Sequence, residues 1–207
     1  MTAIIDYGVG NLFSLVSSFQ KIGEEAVITA EESVIRSADR IILPGVGAFC
    51  DAMNKLKSSG LIGVLKEQIA LGKPVMGICL GMQLLFDKSF EYGEHEGLGL
   101  IEGQICPIAE KTDLKVPHMG WNPLEFKGEK HPLFAKVQEG ECVYFVHSFY
   151  ATDCEKNVIA VSEYDLEITA AVAKDNVMGC QFHPEKSGQT GLNILKSFCE
   201  MEVGARC

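Results

Sequence analysis

The chain has 207 residues, of which 47% are apolar and 22% charged, enough to bury one full hydrophobic core and too apolar to stay disordered. Its net charge of −10 gives nucleic acid and anionic membrane surfaces no electrostatic hold, so neither is expected as a partner. Met1-Thr2-Ala3-Ile4-Ile5-Asp6 lacks a basic leader, and no apolar run approaches membrane-spanning length, so a cytoplasmic protein without membrane contact is expected.

Residues 2–6 read as a first strand, ending in Tyr7-Gly8-Val9-Gly10-Asn11. Leu12, Leu15, Val16, Phe19 and Ile22 then fall on one helical face, with Gly23 as the stop signal. A strand, glycines and a helix invite a dinucleotide site, but Phe13 stands where the third glycine would be. A tight turn that places Asn11 at the surface is the better reading. Residues 26–29 form a short second strand, and Arg40-Ile41-Ile42-Leu43 a third of the kind buried on both faces of a parallel sheet. Pro44-Gly45-Val46-Gly47-Ala48-Phe49 follows, then helical patterns over 48–57 and 61–71. Strands alternating with helices predict an α/β fold: a doubly wound, mostly parallel sheet with functional loops at the carboxyl ends of its strands. From Gly97 the pattern changes to strands and turns, at 104–108, 142–146, 158–164, 168–174 and 177–182, which predicts a mixed or antiparallel extension in the C-terminal half. An amphipathic helix over 191–201 closes the pattern.

The most informative stretch is residues 74–86. A short apolar run stops at Gly77-Ile78-Cys79-Leu80-Gly81, and a helical pattern begins. This is the form of a nucleophile elbow carrying sulfur, where small neighbours relieve a strained turn. The following helix points its positive end at the thiol and favours the thiolate. Full ionisation of an ordinary thiol at neutral pH is worth roughly 2 kcal/mol, so the turn supplies part of the activation. A buried structural cysteine in a strand-to-helix turn would look similar. The decisive addition is Gly179-Cys180-Gln181-Phe182-His183-Pro184-Glu185. A cysteine nucleophile needs a base, and the base needs a third group to fix its tautomer. His183 and Glu185 are two apart and, on an extended backbone, project to one side.

Of the eight cysteines, none forms a Cys-x-x-Cys pair, so reduced thiols are expected, with neither a disulfide framework nor a metal site. Cys154 and Cys207, in polar or terminal surroundings, are the thiols expected to oxidise.

Six stretches carry a resemblance: residues 6–11, 43–49, 77–83, Pro117-His118-Met119-Gly120-Trp121-Asn122, Tyr144-Phe145-Val146-His147-Ser148 and residues 181–187. Together they resemble the class I, triad-type glutamine amidotransferases over essentially the whole chain, as one domain of residues 1–207. Within that family they are most similar to the branch of glutaminase subunits that serve imidazole glycerol phosphate synthase. The resemblance implies that Cys79 attacks the side-chain amide of L-glutamine, that His183 protonates the departing ammonia and then activates water, and that Glu185 orients His183. It places the oxyanion on the N–H of Leu80 and one from the Gly45-Val46-Gly47 loop, and the substrate on Gln83 and the backbone at Gly47, Ser148 and Phe149. The family often carries Tyr at the position of Phe149, so a main-chain contact there survives the change and a hydroxyl contact does not. No cofactor is implied. The implied partner is a separate cyclase subunit, a (β/α)8 barrel forming a heterodimer with this chain, with Asn11, Trp121, Tyr144 and Lys186 at or near the interface. Trp121, flanked by Gly120 and Asn122, is expected in a loop, with a core aromatic as the alternative. A glutaminase for a synthase of pyridoxal phosphate or of a chorismate-derived amine would keep the triad but not need the His-Met-Gly-Trp-Asn stretch. A non-catalytic regulatory chain usually loses a triad residue, and all three are present.

Overall fold

A computed structural model describes residues 1–201. The first half runs β1 (Thr2–Ile5), α1 (Leu12–Lys21), β2 (Ala26–Thr29), α2 (Glu32–Ser37), β3 (Arg40–Leu43), α3 (Phe49–Ser58), α4 (Ile62–Ala70) and β4 (Val75–Ile78). A single helical turn, α5 (Leu80–Gln83), leads to β5 (Phe86–Ser89), β6 (His95–Glu96), β7 (Ile101–Pro107), β8 (His118–Pro123) and β9 (Glu125–Phe126). The last third holds β10 (Cys142–His147), β11 (Phe149–Thr152), β12 (Val158–Glu163), β13 (Glu167–Lys174), β14 (Val177–Cys180) and α6 (Gly188–Glu200).

The central sheet has the order β2-β1-β3-β4-β14-β13-β12-β9. Pairing is parallel from β2 through β14 and antiparallel beyond it. The continuous apolar strands are explained by cover on both faces. Ile41, Leu43 and Val75 face one core with Phe49, Leu56 and Leu65, whereas Ile42, Met76 and Ile78 face the other with Leu15, Phe19 and Phe198. Successive strand residues thus feed opposite layers. This is the doubly wound sheet with an antiparallel extension that the pattern predicts. Two smaller sheets flank it: β11-β7-β5-β6 and the antiparallel ribbon β8-β10.

Two local expectations change. The helix after Cys79 is one turn, not a run to Phe86, because the carbonyls of Leu84 and Leu85 accept from the N–H groups of Leu98 (2.9 Å), Leu100 (2.8 Å) and Ile101 (3.1 Å). A four-residue helix adds few aligned peptide dipoles, so its share in activating the thiol shrinks. Trp121 lies within β8 rather than a loop, and at 56% exposed it is not a core aromatic.

Candidate active site

The nucleophile turn is set by two glycines. Cys79 adopts φ 54°, ψ −113°, a region hostile to residues with a side chain. The chain can turn there because its neighbours pack backbone on backbone. A Cβ on Gly77 would lie 2.5 Å from the Gly81 carbonyl oxygen, and one on Gly81 would lie 1.9 Å from that of Leu43. The turn is tied across the sheet by Cys79 N–H, which donates to the Cys180 carbonyl at 2.8 Å.

Parallel pairing brings the second half of the site alongside. Ile78 and Cys180 are register partners in β4 and β14, so the segments leaving both strands emerge together. His183 is held by its N–H donating to the Tyr144 carbonyl (2.9 Å) and by the Ser187 hydroxyl donating to its own carbonyl (2.6 Å). His183 Nδ1 lies 2.8 Å from Glu185 Oε1, with both side chains almost wholly buried. The pairing is as expected but its cause is different. Glu185 sits in a 3₁₀ turn, Pro184–Lys186, so the chain curls back on His183 instead of alternating along a strand.

Burial works to lower the His183 pKa, but hydrogen bonding to Cys79 and to Glu185 outweighs it and raises the value from 6.5 to about 9. A folded-state pKa above the unfolded one means that the imidazolium stabilises the fold fully below pH 6.5 and loses that contribution as pH rises through about 9. The urea midpoint of the wild-type chain should therefore fall across this window more steeply than that of Glu185→Gln; parallel curves would refute the pairing as its cause. The other histidine at the site, His147, has the opposite character. Burial pulls it down to about 3, and its Nδ1–H donates to the Phe149 carbonyl at 2.8 Å, so it is neutral, committed and unsuited to be the base.

A cavity of about 320 Å³ opens onto Cys79 and His183. Of the residues predicted to hold the oxyanion, Leu80, Val46 and Gly47 line it. Gly45 lies beneath, where a Cβ would stand 2.6 Å from Gly81 N, so the loop is pressed against the elbow. Buried Tyr7 fixes the loop's start: burial pushes its phenol pKa up and keeps it protonated, and its hydroxyl donates to the Pro44 carbonyl at 2.6 Å. Gln83, Ser148 and Phe149 also line the cavity. Gln83 is buried, and its Nε2 donates to the Phe149 carbonyl (3.1 Å) and to Gln181 Oε1 (2.9 Å).

One lining residue was not anticipated. Glu91, in the loop between β5 and β6, lines the cavity, and its carboxylate accepts from Phe49 N–H. Partial burial raises its pKa. Nothing in its sequence surroundings, which hold several acidic residues, distinguishes it.

Three of the four predicted interface residues meet on the surface beside the cavity. The Trp121 and Tyr144 rings are 6.0 Å apart, and Lys186 Nζ stands 5.9 Å from the Tyr144 ring centre. Lys186 also lines the cavity, and Asn11 is exposed at the start of α1, a helix that packs against the turn holding Lys186.

The sequence model described as Glutamine amidotransferase class-I matches residues 3–201. The chain belongs to that family. Among curated class-I relatives, "Imidazole glycerol phosphate synthase subunit HisH" of Sulfurimonas denitrificans is 52% identical over 203 residues, covering 96% of this chain and 97% of its own. The protein of the same name from Lactococcus lactis is 50% identical over 198 residues, covering 95% and 96%. Solved amidotransferase folds are similar at low identity. A "glutamine amidotransferase" crystal structure superposes with TM-score 0.74 at 16% identity over 96% of this chain and 97% of its own. The structure of PurLQS from Thermotoga maritima gives 0.74 at 20% identity over 96% of both chains.

One of the remaining cysteines of this amidotransferase departs from expectation. Cys154 is buried, and desolvation pushes its thiol up to about 11, so it is not the exposed, oxidisable group foreseen. Among the described cysteines Cys142 is the exposed one; Cys207 lies outside the described residues. No described helix is long and apolar enough to cross a membrane.

Proposed function

We propose that this class-I amidotransferase is the glutaminase subunit of a cytoplasmic imidazole glycerol phosphate synthase, supplying ammonia for histidine biosynthesis. The observation that carries the reading is the meeting of Cys79 with the His183–Glu185 pair at the floor of one cavity. The near-full-length relatives named for that subunit support the choice of synthase.

Cys79 Sγ attacks the amide carbon of glutamine, and the carbonyl electron pair moves onto oxygen. N–H groups of Leu80 and of the Gly45-Val46-Gly47 loop receive that oxyanion. As the C–N bond breaks, His183 gives its proton to the leaving nitrogen, which departs as ammonia and leaves a γ-glutamyl thioester. A pKa held near 9 suits a group that must begin this step protonated. His183 then takes a proton from water, hydroxide adds to the thioester, and the C–S bond breaks to release glutamate. Gln83, Ser148 and the main chain at Phe149 position the substrate. Glu91 offers the α-ammonium group a carboxylate, which glutamine needs and a simple amide does not.

Ammonia released into water is protonated and lost, so it must pass to a second site under cover. The acceptor is a cyclase subunit built as a (β/α)8 barrel. It docks against Trp121, Tyr144, Lys186 and Asn11 to make a heterodimer. Lys186 belongs to both surfaces, so docking reaches the cavity directly.

The deciding experiment measures glutamate released from glutamine by the chain alone, and then with its cognate cyclase and the cyclase's ribonucleotide ligand. Cys79→Ser serves as the blank. Strong ligand-dependent stimulation is expected, and indifference to the cyclase would assign the chain to another synthase. Val46→Pro removes one candidate oxyanion donor and should lower stimulated turnover by about 10²- to 10³-fold. Unchanged turnover would remove Val46 N–H from the mechanism.

A further inference from the structure

Gln181 is fully buried beside Cys79, and the triad gives it no task. Its side-chain orientation follows from its neighbours. The Phe149 carbonyl is an acceptor, so Gln83 must present its amide nitrogen there, at 3.1 Å. The same nitrogen lies 2.9 Å from Gln181, which must answer with its oxygen. The Gln181 nitrogen is thereby turned to Cys79, 3.8 Å from Sγ. Its backbone is also pinned, N–H to the Ala170 carbonyl at 2.8 Å.

We infer that Gln181 is a sulfur-holding residue, its amide N–H stabilising Cys79 Sγ as an anion both before attack and when the C–S bond of the thioester breaks and its electron pair returns to sulfur. The catalytic half of this statement rests on the glutaminase reading above; the stabilisation of the free thiolate does not. An amide serves this purpose because it carries a fixed donor that never titrates, whereas His183 gains and loses its proton in every cycle. The titratable groups facing the sulfur are His183 and Glu185 beyond β14, Cys180 within it and Tyr7 beyond β1, with Glu91, His147 and Lys186 along the cavity. None of these changes when Gln181 is replaced by a neutral side chain of similar size.

The test is alkylation of Cys79 by iodoacetamide as a function of pH in the full chain, with Cys79→Ala subtracting the other thiols. In Gln181→Met the midpoint for Cys79 should rise by about one pH unit, as expected for loss of one hydrogen bond to a charged group. In Gln181→Glu, which sets a carboxylate beside the sulfur, it should rise further. With the cyclase and its ligand present, kcat of Gln181→Met should fall about tenfold while KM for glutamine stays within about twofold. An unchanged midpoint in folded Gln181→Met overturns the inference. Should that variant not fold, Gln83→Met releases the Gln181 amide to turn away, and an unchanged midpoint there overturns it equally. A shifted midpoint in a chain that hydrolyses no glutamine would leave the sulfur contact standing and defeat only the glutaminase reading.

Discussion

Cys79→Gly should be inactive and yet more stable than Cys79→Ala. Both variants lose the attacking sulfur, so glutamate release should drop by on the order of 10⁴-fold or more in each. Their stabilities should separate because the backbone at this position, φ 54°, ψ −113°, is strained for alanine and free for glycine. Such strain costs about 1–3 kcal/mol, against about 0.5–1 kcal/mol of extra chain entropy that glycine loses on folding. The glycine variant should therefore lead by about 1 kcal/mol, read from urea midpoints with equal slopes. The usual order, alanine above glycine, would show that the turn stores no strain.

The second large effect lies two residues on. Gly81→Ala should destabilise the chain by several kcal/mol and lower activity about 100-fold or more in whatever remains folded, because the new methyl would sit 1.9 Å from the Leu43 carbonyl oxygen and 3.0 Å from the Pro44 carbonyl carbon. Both belong to backbone that carries the Gly45-Val46-Gly47 loop, so relief of the clash must displace the proposed oxyanion donors. Gly63→Ala is the control. It lies in α4 with open space around a new Cβ, and should be neutral or stabilising by up to about 1 kcal/mol. Equal unfolding midpoints for the two variants would show that the elbow has room that the backbone contacts deny.

The parts of this site that could be read from residues alone are those whose causes are short in sequence. Gly77 announces a crowded turn because its crowding comes from the nearby Gly81 and Met82 backbone, whereas the crowding at Gly81 comes from the distant Leu43 and Pro44. The continuous apolar runs of β1, β3 and β4 give the parallel half of the sheet, since only cover on both faces tolerates them. What could not be read has distant causes. The early end of α5 depends on carbonyls claimed by Leu98, Leu100 and Ile101. Helix α2 has six residues and one buried side chain, Ile35, too little to establish a period. Glu91 is one acid among several until the fold brings it to the cavity. The His183–Glu185 pair was visible but for the wrong reason: proline bends the chain into a 3₁₀ turn, and the pair meets by curvature.

The pairing of β4 with β14 also fixes when, in the making of the protein, chemistry becomes possible. The nucleophile is synthesised well before the middle of the chain, but the strand that flanks it and carries the base is the last to be made. Until β14 is inserted, β4 is an open edge, and the β13-β12-β9 group has no strand through which to join it. On the proposed mechanism, a growing chain on the ribosome carries Cys79 before its proton donor exists, and a fragment ending before His183 should release no ammonia. The insertion of one strand between two halves is thus the step on which the sheet depends, and, on the proposed mechanism, the reaction with it.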